Sequence, residues 1–521
     1  MKVNKRIIAV IGIILYTLLV AAVTYYVTDS GSQQAQSVTT DKTNNQQDTN
    51  NSGENSFPKD YNWIPLPEID LENSEKEYEI KSLTTEASNV IDLRTLSDHN
   101  VQINGHDVTG KDKYELELNS ISEDNYITLT VDGTDYQIKT LPDFLSDYEY
   151  ENNGASDGFY YFSYGDYIVK LSTNGQIVYY KNVGTAFSFD FKLNKTDEGE
   201  IYYSYLVRNN GHEKVPGIGY HPTKAVVMDA DYNVVDEVES IKSTNLVSTN
   251  PLESHEFVFI ELGHYIISSY YPEEVNNIPS DIKQNQFGTR VIATYLQEIK
   301  DNEVVWEWKS TEHQKLYGLS TEHNDFTNTH SRYADYMHYN SLAIDPDDGN
   351  LIVSFRNLSS IVKLNRETGE IMWTLGGKGD QFGLTEEQLF SRQHKLSFLS
   401  DGTILFFNNG NILPAAPYPI VDEDDPLRDK EAETSIVKIK LDEENKEVEN
   451  YEEYETGEFS KTRGSVQMIN EAKDTILIGW GSGDNNEAHF TELNFSTGEA
   501  LFTFYPHDED LISYRAYKFK Q

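Results

Sequence analysis

One strand–turn–strand pattern recurs six times from residue 168 onward, and a repeat of that kind restricts the fold more than any single segment does. Ile168-Val169-Lys170-Leu171-Ser172-Thr173-Asn174-Gly175-Gln176-Ile177-Val178-Tyr179 is echoed by Ile361-Val362-Lys363-Leu364-Asn365-Arg366-Glu367-Thr368-Gly369-Glu370-Ile371-Met372-Trp373. The pattern returns at 225–235, 291–306, 436–448 and 490–502. Two further strands joined by a turn precede most copies, as in Phe398-Leu399-Ser400-Asp401-Gly402-Thr403-Ile404-Leu405. Four strands per repeat, six repeats and no helical periodicity predict an all-β fold with a six-bladed β-propeller over 146–521. A large irregular β-sandwich is the competing reading. In a propeller the innermost strand of each blade follows the central channel, so residues that begin or end those strands point at the mouth where ligands bind.

Ahead of the repeats, 76–145 alternates apolar and polar residues in short runs, such as Tyr126-Ile127-Thr128-Leu129-Thr130-Val131. Asp132-Gly133 then marks a type I′ hairpin. This predicts a small N-terminal β-sandwich domain with no chemical constellation of its own. Its role is spacing or subunit contact, so a homodimer is among the expected states. Residues 28–75 include a long tract rich in Ser, Gln, Thr, Asn and Asp and read as a disordered stalk.

The one long apolar run, 7–27, follows Lys2, Lys5 and Arg6. Its length suits a transmembrane helix, and the flanking cations put 1–6 in the cytoplasm and the rest outside. The expected location is the cell membrane, single-pass through this signal-anchor, with the catalytic domain extracellular; a cleaved signal peptide is the alternative. With 86 acidic against 42 basic residues and a net charge of −44, the chain repels nucleic acid, which is excluded as a partner. The absence of cysteine excludes a disulfide-stapled scaffold and fits an exported Gram-positive protein.

The chemistry gathers around three histidines. His255, His338 and His394 each stand just ahead of an apolar run in consecutive repeats, so their imidazoles converge if the repeats surround one axis. Such a cluster suits a metal site or nucleophilic chemistry. Arg356 ends the second strand of the His338 blade, and Asn340 lies two residues after His338, on the same face of an extended chain. A fixed guanidinium disfavours a bound metal. Cationic and hydrogen-bonding groups in so acidic a protein suggest an oxyanion site. His323 and His330 read as part of a long interblade loop, and 345–350 as a tight turn rather than a calcium loop.

Trp373-Thr374-Leu375-Gly376-Gly377, Phe390-Ser391-Arg392-Gln393-His394, and His338-Tyr339-Asn340 followed by Arg356 resemble the bacterial arylsulfate sulfotransferases. The resemblance runs from about Glu77 to the C-terminus. It implies a six-bladed propeller behind a small β-sandwich. It also implies sulfuryl transfer from an aryl sulfate donor to a phenol acceptor, with no nucleotide sulfate and no metal or organic cofactor. His394 matches the family's nucleophile, which forms a covalent sulfuryl-histidine intermediate. His255, His338, Asn340 and Arg356 match the residues around the sulfate, with His255 or His338 as general acid and base. A hydroxyl residue of a later blade completes the family's site, and here Thr462 and Ser465 both fit. The chain departs from Gram-negative relatives, which carry cysteines and a cleaved signal. A non-catalytic cell-surface propeller that binds a carbohydrate or protein is the alternative, since fold alone does not decide function.

Overall fold

Strands that are apolar on both sides can settle only where a sheet is covered on both faces. The third strand of each repeat is of this kind: Ser360–Leu364 is buried throughout, and Tyr167–Ser172 in all but its last residue. The structure is a computed structural model that describes residues 61–65, 77–79, 88–116, 126–139, 148–175, 177–184, 187–243, 246, 251–410, 433–483, 488–506 and 514–520. All of these belong to the unit Lys59–Gln521. The expected cytoplasmic segment 1–6, the anchor at 7–27 and most of the stalk lie outside the described residues. Among the described residues, no helix is long and apolar enough to cross a membrane.

The fold is all-β and propeller-like. Among the described residues, six sheets of four or five antiparallel strands follow one another along the chain. The third sheet, for example, holds Val258–Glu261, His264–Val275, Thr289–Lys300 and Glu303–Lys309. The fourth holds Tyr339–Ile344, Leu351–Phe355, Ser360–Leu364 and Ile371–Leu375, and the fifth His394–Phe398, Ile404–Asn408, Ser435–Asp442 and Glu447–Glu455. The repeats read from the sequence are the third and fourth strands of these sheets.

Both ends of the domain are tied across the first and last sheets. The C-terminal strand Ala516–Phe519 pairs with Phe159–Tyr164 as the first strand of the first sheet. Tyr148–Asn152, from the start of the domain, extends the sixth sheet beside Ala500–Pro506. First strands of neighbouring sheets then pack on one another: Tyr339–Ile344 on His394–Phe398, that on Ser465–Asn470, and Ala516–Phe519 on Ser188–Lys195.

The lysine within the repeat has a structural reason. Lys170 reaches from the first sheet to the Tyr232 hydroxyl of the second, at 3.3 Å. Lys363 reaches from the fourth sheet to Glu443 beyond the third strand of the fifth, at 2.7 Å. Lys438 lies over the Phe495 ring, next to the sixth sheet, at 3.7 Å from its centre. Each is a buried lysine on a long apolar stem that staples one sheet to the next.

In the N-terminal part, Tyr61–Pro65, Ser88–Asp92 and Lys113–Leu116 form one sheet. Glu77–Glu79, Thr134–Lys139, Tyr126–Val131, Val101–Ile103 and His106–Asp107 form another. Ile91, Ile103, Leu116, Ile127, Leu129 and Ile138 share one core. The hairpin at Asp132-Gly133 has the two positive φ angles, 48° and 81°, that a type I′ turn needs. One boundary needs correction. Tyr61–Pro65 falls inside the expected stalk, yet it pairs in parallel with Ser88–Asp92. A five-residue strand beside a long polar tract is masked when the tract is judged by composition.

His489 gives the seam between the sixth and first sheets a pH dependence. Its ring lies among Phe162, Tyr164 and Phe504, with centroids 5.3, 5.7 and 6.2 Å away. Burial pushes its pKa down to about 4 from 6.5. The folded state therefore resists protonation more than the unfolded state does. The stability held by the neutral ring is complete above pH 6.5 and is lost as pH falls through about 4. A shift of this size is worth about 3 kcal/mol. Denaturant unfolding at neutral and mildly acidic pH should show wild type losing more stability than His489→Phe. Equal losses would place the acid sensitivity elsewhere.

Candidate functional site

Each of the three histidines arrives at the start of a first strand. His255 lies three residues before Val258–Glu261, His338 immediately before Tyr339–Ile344, and His394 opens His394–Phe398. Left-handed backbone at His338, Arg392 and Lys395 (φ 51°, 53° and 37°) kinks these entries. The pairing register also shifts between Tyr339 and Ser341 and between His394 and Leu396. Irregular strand starts of this kind re-aim side chains. The rings do converge: His255 lies 5.2 Å from His338 and 6.3 Å from His394, centroid to centroid.

Each imidazole turns Nδ1 onto a different partner. His255 Nδ1 meets the Glu253 carboxylate in a very short contact. His338 Nδ1 donates to Asp335 Oδ2 at 2.6 Å. His394 Nδ1 donates to Asn409 Oδ1 at 2.6 Å and lies 3.1 Å from the Arg392 carbonyl. The direction of the last bond is settled by Asn409 itself. Its amide nitrogen donates to the carbonyls of Ser460 and Arg463 at 2.8 and 3.1 Å, so its oxygen faces His394 and can only accept. His394 therefore carries its proton on Nδ1 and presents the Nε2 lone pair. Among the described residues, no Nε2 of the three rings has a hydrogen-bond partner.

Electrostatics separate the rings further. Burial holds His394 well below the ordinary histidine range, with His255, Arg356 and Arg515 pushing the same way against Asn409. Burial also lowers His338, but there Asp335 opposes it. Burial alone would raise the Asp335 carboxyl, yet His338, His323 and Arg356 keep it below its usual value. His338 thus has a carboxylate to balance a proton, whereas a protonated His394 would add charge to an already cationic place.

Arg356 follows Leu351–Phe355 and is buried. Its Nη1 donates to Glu322 Oε1 and Asn357 Oδ1, both at 2.7 Å. Among the described residues its Nε and Nη2 make no protein bond, leaving one edge of the guanidinium for an oxyanion. Glu322 also grips Arg392 through Nε at 2.8 Å and Nη2 at 2.7 Å. Burial would raise the Glu322 carboxyl, but Arg356 and Arg392 outweigh it and hold it ionised.

Asn340 is fully buried, and its amide nitrogen donates to the Gln393 carbonyl at 2.6 Å, next to His394. Thr462 lies on the short strand Ser460–Thr462, and its carbonyl accepts from Ser460 Oγ at 3.3 Å. The Ser465 hydroxyl accepts the backbone N–H of Ala516 at 3.2 Å, a bond between neighbouring sheets. His323 and His330 do lie in a loop between the third and fourth sheets. That loop does more than connect, because it delivers Glu322 and Asp335. Among the described residues, no group of three or more His, Asp or Glu side chains is arranged to hold a metal ion.

Sequence reasoning missed Glu253, Asp335, Glu322, Arg392 and Asn409. Glu253 and Asp335 were visible as carboxylates two and three residues before a site histidine. Asn409 was visible through the repeat, since Phe407-Asn408-Asn409 aligns with Ser354-Phe355-Arg356 and puts Asn409 where the fourth sheet has Arg356. The two glycines of Trp373-Thr374-Leu375-Gly376-Gly377 also gain a reason. At φ 78° and 59° they lie against the Phe390 ring and the Leu358 carbonyl, where a Cβ would clash. They let the turn close over the segment that carries Arg392 and His394.

The model of a family described as arylsulfotransferase (ASST) matches residues 204–488, a span that contains all three histidines and Arg356. No curated protein matches the chain significantly. Solved structures with a similar chain course include a protein of unknown function from Bacteroides caccae, at 10% identity and TM-score 0.39, covering 70% of this chain and 100% of that one. The β-propeller domain of Myceliophteria thermophila Cps50 (Swd1) has 10% identity and TM-score 0.34, covering 68% and 88%. Virginiamycin B lyase from Staphylococcus aureus has 10% identity and TM-score 0.28, covering 69% and 98%.

The Asn409 contact makes a prediction about the ring it holds. Asn409→Asp places a carboxylate on Nδ1 and should raise the pKa of His394. The ascending limb of any activity that needs neutral His394 should move to higher pH. Asn409→Ala should lower kcat by about 10²-fold with little change in KM, the scale seen when an orienting partner is lost. An unchanged pH profile in the Asp variant would show that Asn409 only holds the fold.

Proposed function

The chain belongs to the arylsulfotransferase family, and from that premise we propose that its three histidines move a sulfuryl group from an aryl sulfate to a phenol through N-sulfurylated His394. The observation that carries this reading is the division of Nδ1 partners: carboxylates behind His255 and His338, a neutral amide behind His394. A nucleophile must keep its lone pair free, and His394 is the ring with every influence but one against protonation.

The step balances as follows. The Nε2 lone pair of His394 attacks sulfur, the bond from sulfur to the aryl oxygen breaks, and the leaving phenolate takes a proton. His255 neighbours both other rings and has Glu253 behind it, which suits it to supply that proton. A phenol then enters, loses its proton to the same ring and attacks sulfur. The S–N bond breaks and His394 is restored. The free edge of Arg356, with His338, is placed to stabilise charge on the sulfuryl oxygens, where a site gains most. Asn340 and either Thr462 or Ser465 complete the oxyanion contacts in this reading. No step calls for a metal or organic cofactor.

The same reading takes the six sheets as a closed six-bladed propeller and the N-terminal sheets as a sandwich that spaces it from the membrane or forms a homodimer contact. It places the protein at the cell membrane, anchored by 7–27 with the site outside. Its partners are a phenolic sulfate donor and a phenol acceptor.

The test is turnover of a chromogenic aryl sulfate with and without added phenol. Release should rise with the phenol and follow ping-pong kinetics. His394→Ala should abolish turnover. Arg356→Lys, which keeps the charge but loses the fork, should lower kcat/KM by roughly 10²–10³-fold with thermal unfolding unchanged. Full activity in His394→Ala would remove the nucleophile assignment.

A further inference from the structure

An aromatic wall leads from the surface to His255. Phe187, 42% exposed, stacks on His221 with centroids 5.2 Å apart. His221 stacks on Phe189 at 5.5 Å, and Phe189 meets Tyr514 edge-on at 5.3 Å. The Tyr514 ring in turn lies 6.1 Å from that of His255. Phe187 and Phe189 come from the entry and first strand of the second sheet, His221 from the turn before its third strand, and Tyr514 from the lead-in to the C-terminal strand. Among the described residues, the buried Tyr514 hydroxyl has no hydrogen-bond partner. A flat ring seated at the histidines has this wall beside it.

Positive charge accompanies the wall. Arg208 is bonded through its backbone N–H to the Phe187 carbonyl at 3.4 Å. Arg463 is fixed next to the nucleophile's support, because its carbonyl accepts from Asn409. Lys214 lies on the exposed loop between these strands. The cations are close enough to feel one another. Burial, then Arg463 and Arg208, lowers the Lys214 amine. Burial, then Lys214, Arg208, Arg463 and His255, pushes His221 down to about 4. Among the described residues, none of Arg208, Lys214 and Arg463 has a carboxylate at ion-pair distance. In a chain with 86 acidic and 42 basic residues, cations gathered beside one site with no carboxylate partner among the described residues form a placed positive field. The sulfuryl group itself is met by Arg356 and the histidines, so this field is available for a second charge.

Taking the sulfuryl-transfer reading as its premise, we infer that the Arg208, Lys214 and Arg463 rim selects aryl substrates that carry a second acidic group, such as a ring carboxylate, in addition to the sulfate or the accepting hydroxyl. The aromatic wall takes the ring, and the rim takes the second anion. Arginine and lysine both suit this role, arginine through paired hydrogen bonds and lysine as a point charge. Neutral phenyl sulfates reach the histidines without using the rim.

Two measurements on the full chain test this separately from the chemistry. The first is binding of two arenes whose C–S bond cannot be transferred, benzenesulfonate and para-sulfobenzoate, by calorimetry. Para-sulfobenzoate should bind about tenfold or more tightly, the scale of one added charge-assisted hydrogen bond. The advantage should disappear in Arg208→Gln/Lys214→Gln and shrink in Arg463→Gln. Equal affinities in wild type, or an advantage that these variants retain, would overturn the inference. The second is turnover of phenyl sulfate and para-carboxyphenyl sulfate. The double variant should keep wild-type kcat/KM for phenyl sulfate and lose the preference for the carboxylated donor through KM. Loss of both donors equally would make the rim residues structural and sink the proposal. If wild type shows the binding preference but turns over neither donor, the anion rim stands and the sulfuryl-transfer reading fails.

Discussion

The side chain of Glu256 is where residues of five of the six sheets meet, and the positions of the three histidines follow from it. Its carboxylate is reached by Lys192 of the second sheet at 2.9 Å, Lys395 of the fifth at 3.0 Å and Arg515, leading into the first, at 2.7 Å. Ser341 of the fourth sheet adds a hydroxyl at 3.3 Å. Asp190 completes the set by pairing with Lys192 at 2.7 Å and Arg515 at 3.0 Å. Burial would raise the Glu256 carboxyl, but Arg515, Lys192 and Lys395 together hold it well below the usual range. Buried ion pairs add little net stability over an apolar core, yet removing one partner costs about 3–5 kcal/mol because a buried charge is left unmatched. Five of the six sheets contribute to this network, so any other register between them would bury an unmatched charge. Glu256 follows His255 in the chain, Lys395 follows His394, and Arg515 donates to the Asn340 carbonyl at 2.8 Å. Fixing the charges therefore fixes the imidazoles.

Above that network, three rings of one residue type acquire different chemistry from their Nδ1 partners alone. A carboxylate behind an imidazole stabilises its protonated form; an amide oxygen orders the tautomer without adding charge. His255 and His338 have the first arrangement and His394 the second. The three sites need no special backbone to be told apart, because the difference lies in Glu253, Asp335 and Asn409. Glu322 does the same for the arginines, spending one edge of Arg356 and two nitrogens of Arg392 while leaving the other edge of Arg356 open.

The repeating architecture was legible because its signal is periodic: doubly buried third strands such as Ser360–Leu364 announce themselves in every copy. The three histidines were legible for the same reason, since equivalent positions in successive sheets must converge. Contacts that join distant parts of the chain were not legible. Nothing local in Ala516–Phe519 says that it pairs with Phe159–Tyr164, and nothing in Glu322 says that it lies between Arg356 and Arg392. Tyr61–Pro65 was lost because a short strand is outweighed by the polar tract before it. The amide nitrogen of Asn340 meets the Gln393 carbonyl beside His394, a contact between sheets that no local pattern announces.

His394, and not its two neighbours, is the proposed carrier of the group in transit. Brief exposure of the wild-type protein to an aryl sulfate without acceptor, followed by mild proteolysis and tandem mass spectrometry at alkaline pH, reads this directly. One sulfuryl adduct should appear, on His394, and should disappear when a phenol is added. An adduct on His255 or His338, or turnover with no adduct on any histidine, would contradict it.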